Sequence, residues 1–193
     1  MDLQHVNVKL LLHKTADTDL EPLIPVFHSW IQGQACEELL LDVADYRHVH
    51  AGPGVVLIGH EANYSVENSD NKLGIRYNRK AAVEGSNQDR LKQATCSALT
   101  ACQRLESDPR LSGKLRFDGQ EIQVSINDRL LAPNSVATRE ALQPEFQTFF
   151  DKLFGEGGYS LSNNHHDPRR LFSASVRASQ VFSVSDLLKN LPS

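Results

Sequence analysis

Five residues between positions 45 and 61 could do chemistry, and three of them are histidines. His48 and His50 stand two positions apart, which places both imidazoles on one face of a strand, and imidazole is a common metal ligand. A tight turn predicted at 51–54, however, puts His60 on the opposite face of the sheet from that pair. The sequence therefore predicts no metal site, and it contains no motif for a cofactor.

The same predicted register sets His60 beside two charged residues on neighbouring strands, Asp45 on one side and Arg79 on the other. Cross-strand neighbours lie about 5 Å apart, so the carboxylate would orient the imidazole and raise its basicity. One hypothesis is therefore an enzyme in which His60 is the general acid or base, oriented by Asp45, with Glu61 and Tyr64 assisting. The alternative is a structural network that satisfies polar groups at the end of the sheet.

Two predicted strand ends carry polar and basic residues directly before a helix. Asn78 and Arg79 end one strand, and Asn127 and Arg129 end another. Guanidinium groups and helix N-termini both favour anions. The sequence thus favours a binding protein that holds an anionic small molecule with these four side chains. The enzyme described above is one alternative, and an assembly protein whose sheet forms a homodimer is another.

Composition and absent motifs argue against several classes of protein. The 193 residues carry a formal net charge of -4, whereas sequence-independent nucleic-acid binding needs a basic surface. No signal sequence begins the chain, and no apolar run approaches the roughly 20 residues that cross a bilayer. The three cysteines lack metal-binding or redox spacing. We therefore expect a soluble cytoplasmic protein that binds neither nucleic acid nor membranes.

Hydrophobic periodicity predicts the elements that position these residues. Apolar side chains alternate over 4–13, which predicts a strand, and turn residues separate three further strands at 38–50, 54–66 and 72–81. The strand at 54–66 would be the centre of this meander. Ser86 and Asp89 can form a capping box, and the helix that follows to residue 107 has an apolar stripe at Leu91, Ala94, Ala98 and Cys102.

Asp118-Gly119 predicts a second hairpin, because the sequence Asp-Gly suits a turn that needs positive φ. A helix over 135–154 follows it, so the chain could contain two ββα units, 54–107 and 114–155, within a single domain, 1–193. Strands interspersed with helices and few βαβ signals favour an α+β fold, a largely antiparallel meander with helices mainly on one face. His165 and His166 fall in a predicted solvated loop.

Overall fold

The computed structural model describes residues 1–13, 18–111, 113–163 and 167–191. Within these residues, eight antiparallel strands form one sheet in the order β2-β3-β4-β5-β1-β6-β8-β7, and four α-helices complete an α+β fold. The predicted loop at His165 and His166 lies outside the described residues. The elements are β1 (Val6–Leu12), α1 (Leu23–Gln32), β2 (Leu40–Tyr46), β3 (Gly54–Gly59), β4 (Ala62–Glu67), β5 (Gly74–Arg79), α2 (Asn87–Ser107), β6 (Phe117–Ile126), α3 (Val136–Phe154), β7 (Tyr159–Asn163), β8 (Phe172–Ala178) and α4 (Val184–Asn190).

β1 is an interior strand that joins the two halves of the sheet. It pairs with β5 on one side and with β6 on the other. Its alternate residues Val6, Val8 and Leu10 are buried against the helices. Asn7 and Lys9 point to the other face, as the strand period of two requires. The alternation that predicted this strand therefore also divides the sheet into an apolar and a polar face.

The helices pack on the apolar face. Trp30 of α1 meets the Tyr64 ring of β4 edge-on, with ring centroids 6.5 Å apart. The Gln93 amide of α2 donates to the Tyr77 hydroxyl of β5 at 2.8 Å. Phe146 of α3 stacks on Phe172 of β8, and α4 contacts α2 and β6. Because these strand residues share a face with Val8 through the sheet register, the four helices form one layer.

The prediction of one central strand at 54–66 is wrong, because this segment forms two strands. The chain turns at His60 and Glu61, so β3 ends at Gly59 and β4 begins at Ala62. This turn is tight: a Cβ at Gly59 would lie 2.5 Å from the Ala62 carbonyl oxygen. The β2–β3 register also differs from the prediction, because the two strands are joined by the longer segment 47–53 and not by a tight turn at 51–54. Asp45 therefore lies opposite Val55 and not opposite His60.

The predicted hairpin at Asp118-Gly119 is also wrong, since both residues lie inside the continuous strand β6. Gly119 serves packing instead of a turn: a Cβ there would lie 2.1 Å from the Phe182 carbonyl oxygen. The predicted unit at 114–155 is therefore one strand followed by α3, and the unit at 54–107 has three strands before α2.

Other predicted elements are confirmed. The capping box of α2 forms, with the Ser86 side chain accepting from the Asp89 amide and the Asp89 carboxylate accepting from Ser86. The helix predicted over 135–154 is α3. It contains a proline, Pro144, on its exposed side, and this residue does not end the helix. The predicted stripe of α2 is fully buried, with no solvent exposure at Leu91, Ala94, Ala98 or Cys102.

Ala98→Asp tests the packing of α2 on the sheet. The substitution places a carboxylate in the core without partners, so we expect the free energy of unfolding to fall by about 3 kcal/mol or more. Urea denaturation measures this change, and Gln103→Asp, on the exposed side of the same helix, is the control. Equal stability of the two variants would contradict the assigned packing.

Candidate functional site

The face of the sheet opposite the helices, here called the open face, is lined by polar side chains. The strand registers place these side chains in two adjacent rows that run across several strands. One row contains Asn63, Asn78, Asn7, Ser125 and Ser173, and the other contains Ser65, Arg76, Lys9, Gln123 and Ser175. Because no described helix covers this face, the two rows are the surface that the fold leaves available to a ligand.

A buried ion pair lies at the centre of the open face. Lys9 is only 2% exposed and Glu67 only 1%, and their side chains approach to 2.7 Å between Nζ and Oε1. Arg76 Nη2 lies 2.9 Å from the same oxygen. Neither cation approaches Oε1 at hydrogen-bonding angles, so these contacts are ion pairs. Two positive charges therefore share one carboxylate.

Burial and charge act in opposite directions on these groups. Loss of water lowers the pKa of Lys9 below its ordinary value, although Glu67 opposes that shift. Burial by itself would raise the pKa of Glu67, but Arg76 and Lys9 outweigh it and hold the pKa below 4.5. The Ser69 amide also donates to Glu67 Oε2 at 2.6 Å, which further favours the carboxylate. Glu67 therefore stays ionised at neutral pH.

Three asparagines form a continuous line on the open face. Asn7, Asn78 and Asn63 are direct cross-strand neighbours on β1, β5 and β4. Within the described residues, the side-chain oxygen of each is buried without a hydrogen-bond partner. Asn7 is almost wholly buried, with 3% of its surface exposed. Since a buried acceptor without a partner costs about 1–3 kcal/mol, these oxygens are suited to receive donors from a bound molecule.

A cleft of about 340 Å³ opens above this line, and it is here called the basic cleft. Glu67 pairs with two of its cations, Asp70 with Arg170, and Asp167 with Arg169. Arg129 forms no ion pair within the described part of the chain. Five basic groups thus face three acidic ones, an excess of two positive charges. The cleft is lined by Asn7, Lys9, Ser69, Asp70, Arg76, Gln123, Ser125, Arg129, Arg169, Arg170, Leu171 and Ser173.

A second cleft of about 490 Å³ adjoins the basic cleft and shares Ser69 and Arg76 with it. Asn63 and Asn78 line this second cleft, so the asparagine line continues from one cleft into the other. Its far wall is more apolar, with side chains from Tyr46, Pro53, Val56 and Ile58. A molecule that occupied both clefts would therefore meet cations at one end, amides in the middle and apolar groups at the other end.

The predicted network of Asp45, His60 and Arg79 is not formed. Asp45 instead pairs with Arg47 at 2.9 Å, and that guanidinium lowers the pKa of the carboxyl to about 2. His60 is exposed in the turn between β3 and β4. Arg79 pairs with Glu61 at 3.1 Å. Two features cause this: the connection at 47–53 sets Asp45 opposite Val55, and the turn at 60–61 leaves His60 outside the strands.

Three of the predicted residues, Glu61, Tyr64 and Arg79, line one cavity of about 590 Å³ between α2 and the segment 35–38. The Tyr64 hydroxyl donates to Glu38 Oε1 at 2.7 Å. Burial raises the pKa of Tyr64 far above its ordinary value, so this hydroxyl remains protonated and is no general base. Burial likewise raises the pKa of the nearby Cys36 thiol, which disfavours the nucleophilic thiolate.

The four predicted ligand-binding residues do not form one site. Arg129 lines the basic cleft and Asn78 lines the cleft beside it. Arg79 lies on the helix side of the sheet, where it donates to the Ala81 carbonyl at 2.9 Å. Asn127 is exposed, and its backbone amide donates to His5.

The structure adds three site residues that no sequence pattern had indicated: Asn7, Lys9 and Glu67. The signal that could have found two of them is the alternation along β1, which places Asn7 and Lys9 together on one face. Polar residues at such positions normally face water, so their burial depends on neighbours that no local pattern reveals.

In the described ranges, no cluster of three or more histidine, cysteine, aspartate or glutamate side chains could hold a metal ion. The histidines that raised this possibility, His48 and His50, lie between β2 and β3. Among the same residues, no helix is both long and apolar enough to span a bilayer.

Glu67→Gln tests the buried ion pair. The variant leaves Lys9 and Arg76 without their shared anion, so at pH 7 we expect a loss of about 3–5 kcal/mol in the free energy of unfolding. Because the folded-state pKa of Glu67 is depressed below 4.5, its stabilising effect is present above that value and is lost as the pH falls through the folded-state pKa.

Urea denaturation at pH 7 and at about pH 3 measures both effects, and the difference in stability between the wild type and the variant should be smaller at the lower pH. Glu61→Gln is the matched control, since this half-exposed carboxylate also pairs with an arginine. The control should lose less than about 1 kcal/mol. A Glu67→Gln variant as stable as the control at pH 7 would rule out the assigned role.

Comparisons with protein-family models, with curated proteins and with solved structures find no match to this chain. The geometry of the open face is therefore the main indication of function.

Proposed function

We propose that this protein binds an anionic small molecule in the basic cleft. The observation that carries the proposal is the excess of positive charge beside asparagine oxygens that have no partner of their own. The asparagine oxygens cost free energy while they lack a donor, and the surplus cations repel one another while they lack an anion. A ligand that supplies the missing anion and the missing donors would offset both costs.

The cations define the anionic part of the ligand. Lys9 and Arg76 share one carboxylate, and Arg129 has none among the described residues. A guanidinium presents paired N–H donors that match the geometry of a carboxylate or a phosphate. We therefore expect such a group to lie between Arg129 and the pair on the sheet.

The asparagines define the other part of the ligand. Asn7 lines the basic cleft, and Asn63 and Asn78 line the cleft beside it; their side-chain oxygens are buried and have no hydrogen-bond partner among the described residues. These acceptors need hydroxyl or N–H donors. The expected ligand class is thus a hydroxylated or amino-bearing carboxylate or phosphate, for example a sugar phosphate. A volume of about 340 Å³ suits a molecule of that size.

Binding is favoured over catalysis because no described residue of the basic cleft is an activated group. Among the described residues its lining contains no histidine or cysteine, and Glu67 holds the Lys9 ammonium in an ion pair, which opposes its conversion to a nucleophilic amine. The predicted acid-base pair is not formed, since Asp45 lies opposite Val55 and His60 lies in the exposed turn between β3 and β4.

Arg129→Gln tests the proposal without disturbing the buried ion pair, since Arg129 is exposed. Isothermal titration calorimetry with inorganic phosphate, citrate and glucose 6-phosphate should show binding of at least one of these anions by the wild type. Loss of one charge-assisted contact should weaken that binding about 10-fold or more.

Arg116→Gln is the matched control, because Arg116 is also an exposed arginine but does not line the cleft. It should bind the anion as the wild type does. The proposal fails if none of the three anions binds with a Kd below about 10 mM. It also fails if both arginine variants weaken binding equally, since that result indicates a general charge effect.

A further inference from the structure

β7 forms one edge of the sheet, and its sequence leaves that edge unprotected. It pairs with β8, and no other described strand lies on its outer side. Its residues, Tyr-Ser-Leu-Ser-Asn, include no charge and no proline. Edge strands of monomeric proteins usually carry charged residues or proline, because these residues keep the exposed backbone groups from pairing with other chains. The opposite edge strand, β2, carries two charged residues, Asp42 and Asp45.

A groove of about 620 Å³ runs between this edge and α3. Its floor is apolar, with the buried rings of Phe146 and Phe172 beneath the half-buried Leu161. Its helical wall is a row of polar side chains at every fourth position, and such positions share one face of a helix. The row consists of Arg139, Gln143, Gln147 and Asp151.

The row runs alongside β7 in the opposite direction. The Tyr159 hydroxyl, at the start of β7, donates to Asp151 Oδ1 at 3.1 Å, near the end of α3. Arg139 therefore lies toward the Asn163 end of the strand. Arg139 and Asp151 lie about 18 Å apart along the helix at 1.5 Å per residue, and Tyr159 and Asn163 lie about 13–14 Å apart along the strand. The row therefore runs past the whole length of β7.

We propose that a second copy of this chain pairs with β7 and forms a homodimer. Two β7 strands would run antiparallel about a two-fold axis at Leu161, which continues the sheet across the axis. The charge order along the row supports this partner: it is positive at Arg139, neutral in the middle and negative at Asp151. A two-fold axis reverses that order, so Arg139 faces the partner's Asp151 and each amide faces an amide.

Self-complementarity of this kind is what an isologous interface requires, because one patch must match its own rotated copy. The pairing also satisfies the outward backbone groups of β7 and covers Leu161 with the partner's Leu161. The groove lies on the helix side of the sheet and the basic cleft lies on the open face. A test of the dimer is therefore independent of a test of the proposed anion binding.

Charge reversal tests the dimer. Sedimentation velocity should show a dimer for the wild type at about 50 µM. Arg139→Asp or Asp151→Arg alone sets like charges against each other across the axis, and each should weaken association at least about 10-fold. The variant with both changes restores opposite charges and should dimerise again. Ala141→Lys, at an exposed position of α3 outside the row, is the control and should remain dimeric.

Asp151→Arg also removes the acceptor of the Tyr159 hydroxyl, so the thermal melting of each variant is measured in parallel. Leu161→Lys gives a second route to the same answer, because it places two lysines opposite each other at the axis without touching the row. It should also yield a monomer. A monomeric wild type, singly reversed variants that still dimerise, or a double variant that fails to recover would each overturn the proposal.

Discussion

The charge of Lys9, held almost without water in the middle of the sheet, constrains the whole open face. Glu67 neutralises it across β5, and Arg76 on that intervening strand shares the same carboxylate. Such a group costs several kcal/mol to desolvate unless its partner is fixed. The registers of β1, β4 and β5 fix that partner. Because Lys9 and Arg76 share this one carboxylate, positive charge remains in surplus in the basic cleft.

Period-two and helical patterns predicted most of the fold because each element buries one face. The stripe of α2 and its capping box, both read from local spacing, are correct. Two predictions are wrong, the single strand at 54–66 and the hairpin at Asp118-Gly119, and both involve a glycine. Because glycine has no side chain, the sequence pattern does not indicate what such a position does. Gly59 permits a tight reversal inside an apolar run, and Gly119 permits a close approach to Phe182 inside a strand. Only the tertiary neighbours distinguish these roles from those that the sequence suggested.

The candidate site was less predictable than the fold, because it depends on register. The connection at 47–53 sets Asp45 opposite Val55, and the turn at 60–61 leaves His60 outside the strands, so the two side chains do not meet. A one-residue slip exchanges the two faces of a strand. Asn78 and Arg129 line the clefts of the open face, while Asn7 and Lys9 resemble ordinary solvent-facing positions until the neighbouring strands and loops are in place.

The position of β1 also has a consequence for how the chain acquires its structure. Val6 lies opposite Ile126, 120 positions later in the chain, and Leu11 lies opposite Gly74. During synthesis β1 therefore leaves the ribosome well before either partner exists, with an apolar row and a lysine that has no counter-ion yet. Contacts so distant in sequence slow folding, because a long loop must close before they form. The strand that unites the sheet therefore cannot pair until β5 and β6 have been synthesised, and until then its apolar row is open to chaperones.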